Sequence, residues 1–217
     1  SDMYVGSTRL RKITDYVAIR RQDTEDEHEE TKGEAPKSEF IITRREITSS
    51  PAILRIFVEA LSNAIDNVER SKKTKTPCTK INVNIDSETG ETSVWNDGDI
   101  IPIEIHEDEG CYNHSMVFGQ LLTGSNYDDE EERVVSGRNG LGAKLTCIFS
   151  TRFEVRGCDP NNGKTLTQVW TNNMRETDGP KVRASKLKRG YTHVIWTPEF
   201  SRFGLKKYTQ DIIDLYT

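Results

Sequence analysis

A stretch that begins at Ser49-Ser50-Pro51 and runs to about Arg70 constrains the fold of this chain more than any other. A serine ahead of a helix accepts from its free N–H groups, and proline suits the first turn because no N–H is lost there. Leu54, Phe57, Val58, Leu61, Ile65 and Val68 then recur at helical spacing. With Glu59 set at zero and about 100° per residue, Asn63 falls near +40°, Asp66 near −20° and Asn67 near +80°, while the apolar set spans roughly 160° to 260°. Such a helix has one face to bury and so predicts a second layer. Strand signals supply it. Ile81, Val83 and Ile85 alternate with polar residues, Ser87 to Glu91 reads as a turn, and Thr92 to Trp95 as the partner strand. Phe153 to Arg156, Leu166 to Trp170 and Thr192 to Trp196 are further strand candidates, with helices near Ser115 to Leu122, Ala143 to Phe149 and Tyr208 to Tyr216. Runs of strands after an early helix predict an α+β fold, one mixed sheet with helices on one face.

Composition sets the outer bounds. The chain has 217 residues, a net charge of −5 and 34% hydrophobic residues. It is long enough to hold a core without staples, and a protein that coats duplex DNA over its whole surface would be basic instead. Local basic groups at Lys72, Lys73 and Lys75, and at Lys186, Lys188 and Arg189, read as solvated surface charge. No apolar run approaches the roughly 20 residues of a membrane helix. Cys78, Cys111, Cys147 and Cys158 form no CxxC pair, which points to reduced thiols and an intracellular compartment; nothing marks the four histidines as metal ligands. The acidic runs 23–30 and 128–132 read as exposed loops, the first within a variable segment of about 21–39.

Three constellations could carry chemistry. On the helix, Glu59, Asn63, Asp66 and Asn67 share a polar face. An ordinary solvated face explains this on spacing alone, but two asparagines are unfavourable helix formers. The alternative is a carboxylate base beside amide oxygens that hold a hard cation such as Mg²⁺. Next, Trp95-Asn96-Asp97-Gly98-Asp99 follows a strand, as a turn or as a ligand-facing strand end. Last, Ser136-Gly137-Arg138-Asn139-Gly140-Leu141-Gly142-Ala143-Lys144 runs into a helix, as a flexible loop or as a backbone cradle for phosphates. It is neither a P-loop nor a full GxGxxG.

The order of these three resembles the GHKL ATPase superfamily, and the wording resembles the eukaryotic-type branch of type IIA DNA topoisomerases. EALSNAIDN (59–67) is similar to the first motif, WNDGDIIP (95–102) to the second. FGQLLTGSNYDD (118–129) and SGRNGLGAKLTCIFSTRF (136–153) are similar to stretches nearly diagnostic of the branch, and the similarity runs from MYVGS (3–7) to WTPEFSRF (196–203). The resemblance implies a two-layer α/β sandwich of the Bergerat type, mostly antiparallel, with residues 1–217 as a single ATP-binding domain and the transducer and DNA-cleavage domains absent. It implies Glu59 as the general base, Asn63 as the Mg²⁺ ligand, Asn67 near the ribose or phosphates and Asn96 at the adenine. Thr123, Gly124, Ser125 and Asn126 would lie at the ribose and nearby phosphate, and Gly137, Arg138, Asn139, Gly140, Leu141, Gly142, Ala143 and Lys144 would wrap the triphosphate.

The implied activity is ATP binding and hydrolysis that closes a gate for DNA strand passage, with ATP and Mg²⁺ as cofactors. DNA would be met through the full-length enzyme rather than this domain. A homodimer is implied for that enzyme, a monomer is compatible with the fragment, and the nucleus is the implied address. The alternative is a clamp or chaperone-like module that uses ATP as a conformational switch. Two departures from the family pattern stand out: Ile100 replaces a glycine, which is expected to reshape the adenine-side turn, and Gly124 replaces a serine.

Overall fold

The computed structural model describes residues 5–20, 39–119 and 142–217. Strands β1 (Arg11–Arg20) and β2 (Phe40–Ser49) form a two-stranded antiparallel ladder. Helix α1 (Pro51–Ser71) follows directly. Its start is built as the sequence predicts: Ser50 is extended, and its hydroxyl accepts from the Ile53 N–H at 3.2 Å. Its end is tied to the next segment. The Ser71 hydroxyl donates to the Asn67 carbonyl at 2.6 Å and accepts from the Cys78 N–H at 2.8 Å.

After β3 (Ile81–Ile85), β4 (Thr92–Asp97), α2 (Asn113–Gly119) and α3 (Gly142–Ile148), five strands complete the main sheet. They are β5 (Ser150–Asp159), β6 (Lys164–Thr171), β7 (Glu176–Thr177), β8 (Lys181–Ala184) and β9 (Tyr191–Pro198); α4 (Gln210–Tyr216) closes the chain. The strand order is β3-β4-β9-β5-β6-β7, with β8 also paired to β6. Every ladder among the described strands is antiparallel, so the mixed character expected from the sequence is absent there.

One face of the sheet is the core. Trp196 lies opposite both Thr92 and Phe153, and Phe153 opposite Trp170, a buried row across four strands. Helices α1, α3 and α4 pack on this side. Phe57 of α1 stacks on Tyr216 of α4 with centroids 4.1 Å apart, and the Tyr216 hydroxyl donates to the Ile53 carbonyl at 2.5 Å. Thr146 of α3 donates to the Ile56 carbonyl at 2.8 Å. The β1–β2 ladder joins this layer through Arg45, which pairs with Asp211 at 2.9 Å and Asp214 at 2.5 Å of α4.

The buried stripe of α1 differs from the expected one. It comprises Ala52, Ile53, Ile56, Phe57, Ala60, Ala64, Asn67 and Ser71. These centre roughly 100° around the helix from the stripe drawn through Leu54, Val58 and Ile65. Ile65 is exposed, while Leu54 and Val58 line a groove against Arg11 and Ile13 of β1. The reason is steric: Ala60 and Ala64 allow a neighbouring helix to approach closely, and a count of large apolar residues does not register them.

Candidate functional site

The shifted stripe changes the meaning of the polar residues on α1. Glu59, Asn63 and Asn67 lie four residues apart, so they climb about 6 Å and turn about 40° at each step. This strip runs along the margin between exposed and buried helix. Asn63 is exposed, Glu59 half-buried, and Asn67 only 4% exposed. Asp66, on the other side of Glu59, is exposed.

At one end of the strip, one Glu59 carboxylate oxygen accepts from Arg55 at 2.5 Å. The other oxygen faces α3. A Cβ on Gly142 would come within 2.1 Å of it, so only glycine permits this approach. Ala143 and Lys144 follow in the same helix, both buried. The fold therefore brings Glu59 and the end of the glycine-rich run together, although 82 residues lie between Glu59 and Gly142.

At the other end, the Asn67 amide nitrogen donates to the Asp99 carbonyl at 2.8 Å. This links α1 to the turn that follows β4. The Asn67 amide oxygen is buried and has no hydrogen-bond partner among the described residues. Such an oxygen is costly to bury unless a ligand or water donates to it. Asn96, at the end of β4, points to the helical side of the sheet like Val94, because side chains alternate along a strand. Its amide nitrogen donates to the Asp97 carbonyl at 2.9 Å.

Asp97 is the residue that the sequence reading undervalued. It is 1% exposed, yet it accepts from the Thr79 N–H at 2.7 Å, the Lys80 N–H at 2.9 Å and the Thr79 hydroxyl at 3.0 Å, and it pairs with Arg189. Burial alone would raise its carboxyl, but these donors, with the Cys78 thiol, hold it below the ordinary carboxylate range. Burial and the same carboxylate push the Cys78 thiol up. Gly98 next to it has φ +106°, and a Cβ there would fall within 2.8 Å of Cys78 backbone atoms. The signal in the sequence was Asn96-Asp97-Gly98, where only Asn96 was singled out. Ile100 occupies space that glycine vacates elsewhere: its Cγ2 lies 2.2 Å from the position of a Cβ on Gly190.

Farther along, Asp159 accepts from the Ile103 N–H at 3.0 Å, and His114 of α2 is wedged nearby against Gly157, whose Cβ would meet its Nε2 at 2.4 Å. Burial lowers the His114 pKa to about 4, against a smaller upward pull from Asp159.

Thr123, Gly124, Ser125 and Asn126, and Gly137, Arg138, Asn139, Gly140 and Leu141, lie outside the described residues. All four cysteines are free thiols, as expected. Among the described residues no helix is long and apolar enough to cross a membrane. No group of three His, Cys, Asp or Glu side chains among them could hold a metal ion unaided. A hard cation at this site would therefore depend on amide oxygens and on the ligand. The Asn63 amide fits that chemistry: it is exposed and makes no hydrogen bond among the described residues.

A helix lined with a carboxylate and amides over an antiparallel sheet, meeting a strand-end turn and a glycine-led helix, is the arrangement of a nucleotide-dependent ATPase fold. The chain belongs to the family described as "Histidine kinase-, DNA gyrase B-, and HSP90-like ATPase", which matches residues 48–200. Within that family its relatives are type II topoisomerases. It is 47% identical over 184 residues to DNA topoisomerase 2 of Invertebrate iridescent virus 6, which covers 81% of this chain and 16% of that protein. It is 41% identical over 212 residues to DNA topoisomerase 2 of Candida glabrata, covering 98% of this chain and 14% of that protein. The crystal structure of the ATPase region of Saccharomyces cerevisiae topoisomerase II superposes with a TM-score of 0.82 at 37% identity, over 99% of this chain and 51% of that one. The chain thus corresponds to about half of the solved ATPase region of the yeast enzyme and spans about a sixth of the length of the curated relatives or less.

Proposed function

We propose that residues 1–217 act as one ATP-binding and hydrolysing unit of a type IIA DNA topoisomerase, with the nucleotide along the strip from Asn96 to Glu59. The observation that carries this reading is the meeting of Glu59 with Gly142 beside the strip of amides. In the reaction, a water oxygen forms a bond to the terminal phosphorus while the bond to the ADP oxygen breaks. Glu59 takes the proton of that water as general base. Arg55 holds one carboxylate oxygen and leaves the other directed at α3.

Asn96 would meet the adenine, and Asn67 would offer its unpartnered oxygen to the ribose side. Thr123 to Asn126 and Gly137 to Lys144 would enclose the ribose and triphosphate. Asn63 would hold Mg²⁺, which when bound supplies neutralising charge at the phosphoryl oxygens. In the full-length, homodimeric nuclear enzyme, ATP binding would close the gate that DNA strand passage requires.

The test is phosphate release from Mg-ATP by the chain and by Glu59→Gln. Loss of a general base is expected to lower hydrolysis by about 100-fold or more. Binding of a non-hydrolysable analogue is expected to stay within about threefold, since the amide keeps the shape of the carboxylate. Equal turnover in the two proteins would overturn the assignment of Glu59.

A further inference from the structure

We propose that strand β8 and the segment that follows it, residues 185–189, form a docking surface for the phosphate backbone of a nucleic acid. Between Lys181 and Arg189 the chain carries five basic residues and no acidic one, and all five are exposed. The whole chain has a net charge of −5, so this density does not follow from a basic composition. On sequence alone Lys186, Lys188 and Arg189 read as solvated charge; the fold adds Lys181 and Arg183 on strand β8.

Strand β8 lies on the β6 side of the sheet, with Lys181 opposite Thr167 and Arg183 opposite Thr165. Directly opposed residues of an antiparallel ladder share a face. Thr167 in turn lies opposite Arg156, so Lys181, Arg183 and Arg156 stand on the open face, away from the helices. Three acids share that face: Glu154 is buried between Arg152 and Arg156, Asp97 is buried and paired with Arg189, and Glu176 is exposed on β7 with Thr171 and Asn172 as its partners. Lys181 has Asp178 at 3.2 Å, and Arg189 is committed to Asp97. Arg183, Lys186 and Lys188 have no ion pair among the described residues. Basic residues also protect edge strands from pairing with other chains. That role accounts for Lys181 and Arg183 but not for Lys186 and Lys188, which lie beyond the ladder. Exposed cations without an ion pair among the described residues, Arg183 on the strand and Lys186 and Lys188 just past its end, match a polyanion, whose bound counterions they would release.

The inference does not depend on the nucleotide reading and is tested without nucleotide. Fluorescence anisotropy would follow a labelled 20-base-pair duplex and a single strand of equal length, titrated with the chain at several salt concentrations. The variants are Arg183→Gln/Lys186→Gln/Lys188→Gln and, on a remote segment, Lys206→Gln/Lys207→Gln, each checked by thermal melting. The wild type is expected to bind at least one form of DNA with salt-dependent affinity. The triple variant should lose about tenfold or more at low salt, with the log–log salt slope reduced by about 2 to 3. The remote variant should bind like wild type. Absence of binding at low salt, unchanged binding by the triple variant, or an equal loss in the remote variant would overturn the proposal.

Discussion

The two ends of the strip on α1 are held in different ways. The end at β4 is built into the fold. Asp97 accepts three hydrogen bonds and an ion pair while buried, Asn67 and Asn96 already donate to backbone carbonyls, and Gly98 sits against Cys78. The end at Glu59 is held by one ion pair, whose arginine side chain is half exposed, and by a close approach to Gly142. A rigid end suits recognition of a flat base by shape and hydrogen bonding. A lightly held carboxylate suits a group that must meet water and pass a proton. The contrast predicts that changes at the first end are read in stability, and changes at the second in rate.

The largest effect is expected for Asp97→Ala. It removes the acceptor of the Thr79 and Lys80 N–H groups and of the Thr79 hydroxyl, and it leaves the exposed Arg189 unpaired. Each donor that loses its acceptor costs about 1–3 kcal/mol, so the total is expected at about 3 kcal/mol or more. Urea unfolding would measure it, and a loss below about 1 kcal/mol would mean that the β4 end is not rigidly built.

Next comes a pH dependence from His114, which is buried against Gly157 of β5. Its folded pKa of about 4 lies below the unfolded value of about 6.5, so the unfolded chain binds more protons between these values. Its contribution is therefore full above about pH 6.5 and lost as pH falls toward 4. At about 1.4 kcal/mol per unit, this amounts to about 3 kcal/mol. Unfolding titrations of wild type and His114→Gln should diverge in slope over that window. Parallel curves would remove His114 from the account.

The smallest stability effect is expected at the other end. In Gly142→Ala the new Cβ need displace only the flexible tip of Glu59. Stability should change by less than about 1 kcal/mol, as for most changes without a core cavity or buried charge. Hydrolysis should nevertheless fall about tenfold or more, because the base is moved. A variant that is badly destabilised but catalytically intact would invert the comparison.

How much of this could be read beforehand depended on how local each signal was. The start of α1 was legible because Ser50 and Pro51 act on their own turn. Strand β3 was legible from the alternation of Ile81, Val83 and Ile85, and β4, β5, β6 and β9 were located as short apolar runs, while the family resemblance joined Glu59 to the glycine-rich run. The buried face of α1 was not legible, because it is set by partners distant in sequence and includes alanines and Asn67. Strands β1 and β2 went unread; residues 21–39 separate them, and charged residues interrupt their pattern. Strand β8, Lys181 to Ala184, has one large apolar residue and was missed for that reason. The role of Asp97 depends on Thr79 and Arg189, which no spacing rule links to it.

The central claim is that this strip binds Mg-ATP. Calorimetric titration with a non-hydrolysable ATP analogue, first with Mg²⁺ and then with EDTA, tests it most directly when Asn63→Ala is run beside the wild type. The account predicts saturable one-to-one binding that weakens when the metal is removed, and a variant that has lost most of this metal dependence. No binding by the wild type in either buffer, or identical metal-dependent binding by Asn63→Ala, would contradict it.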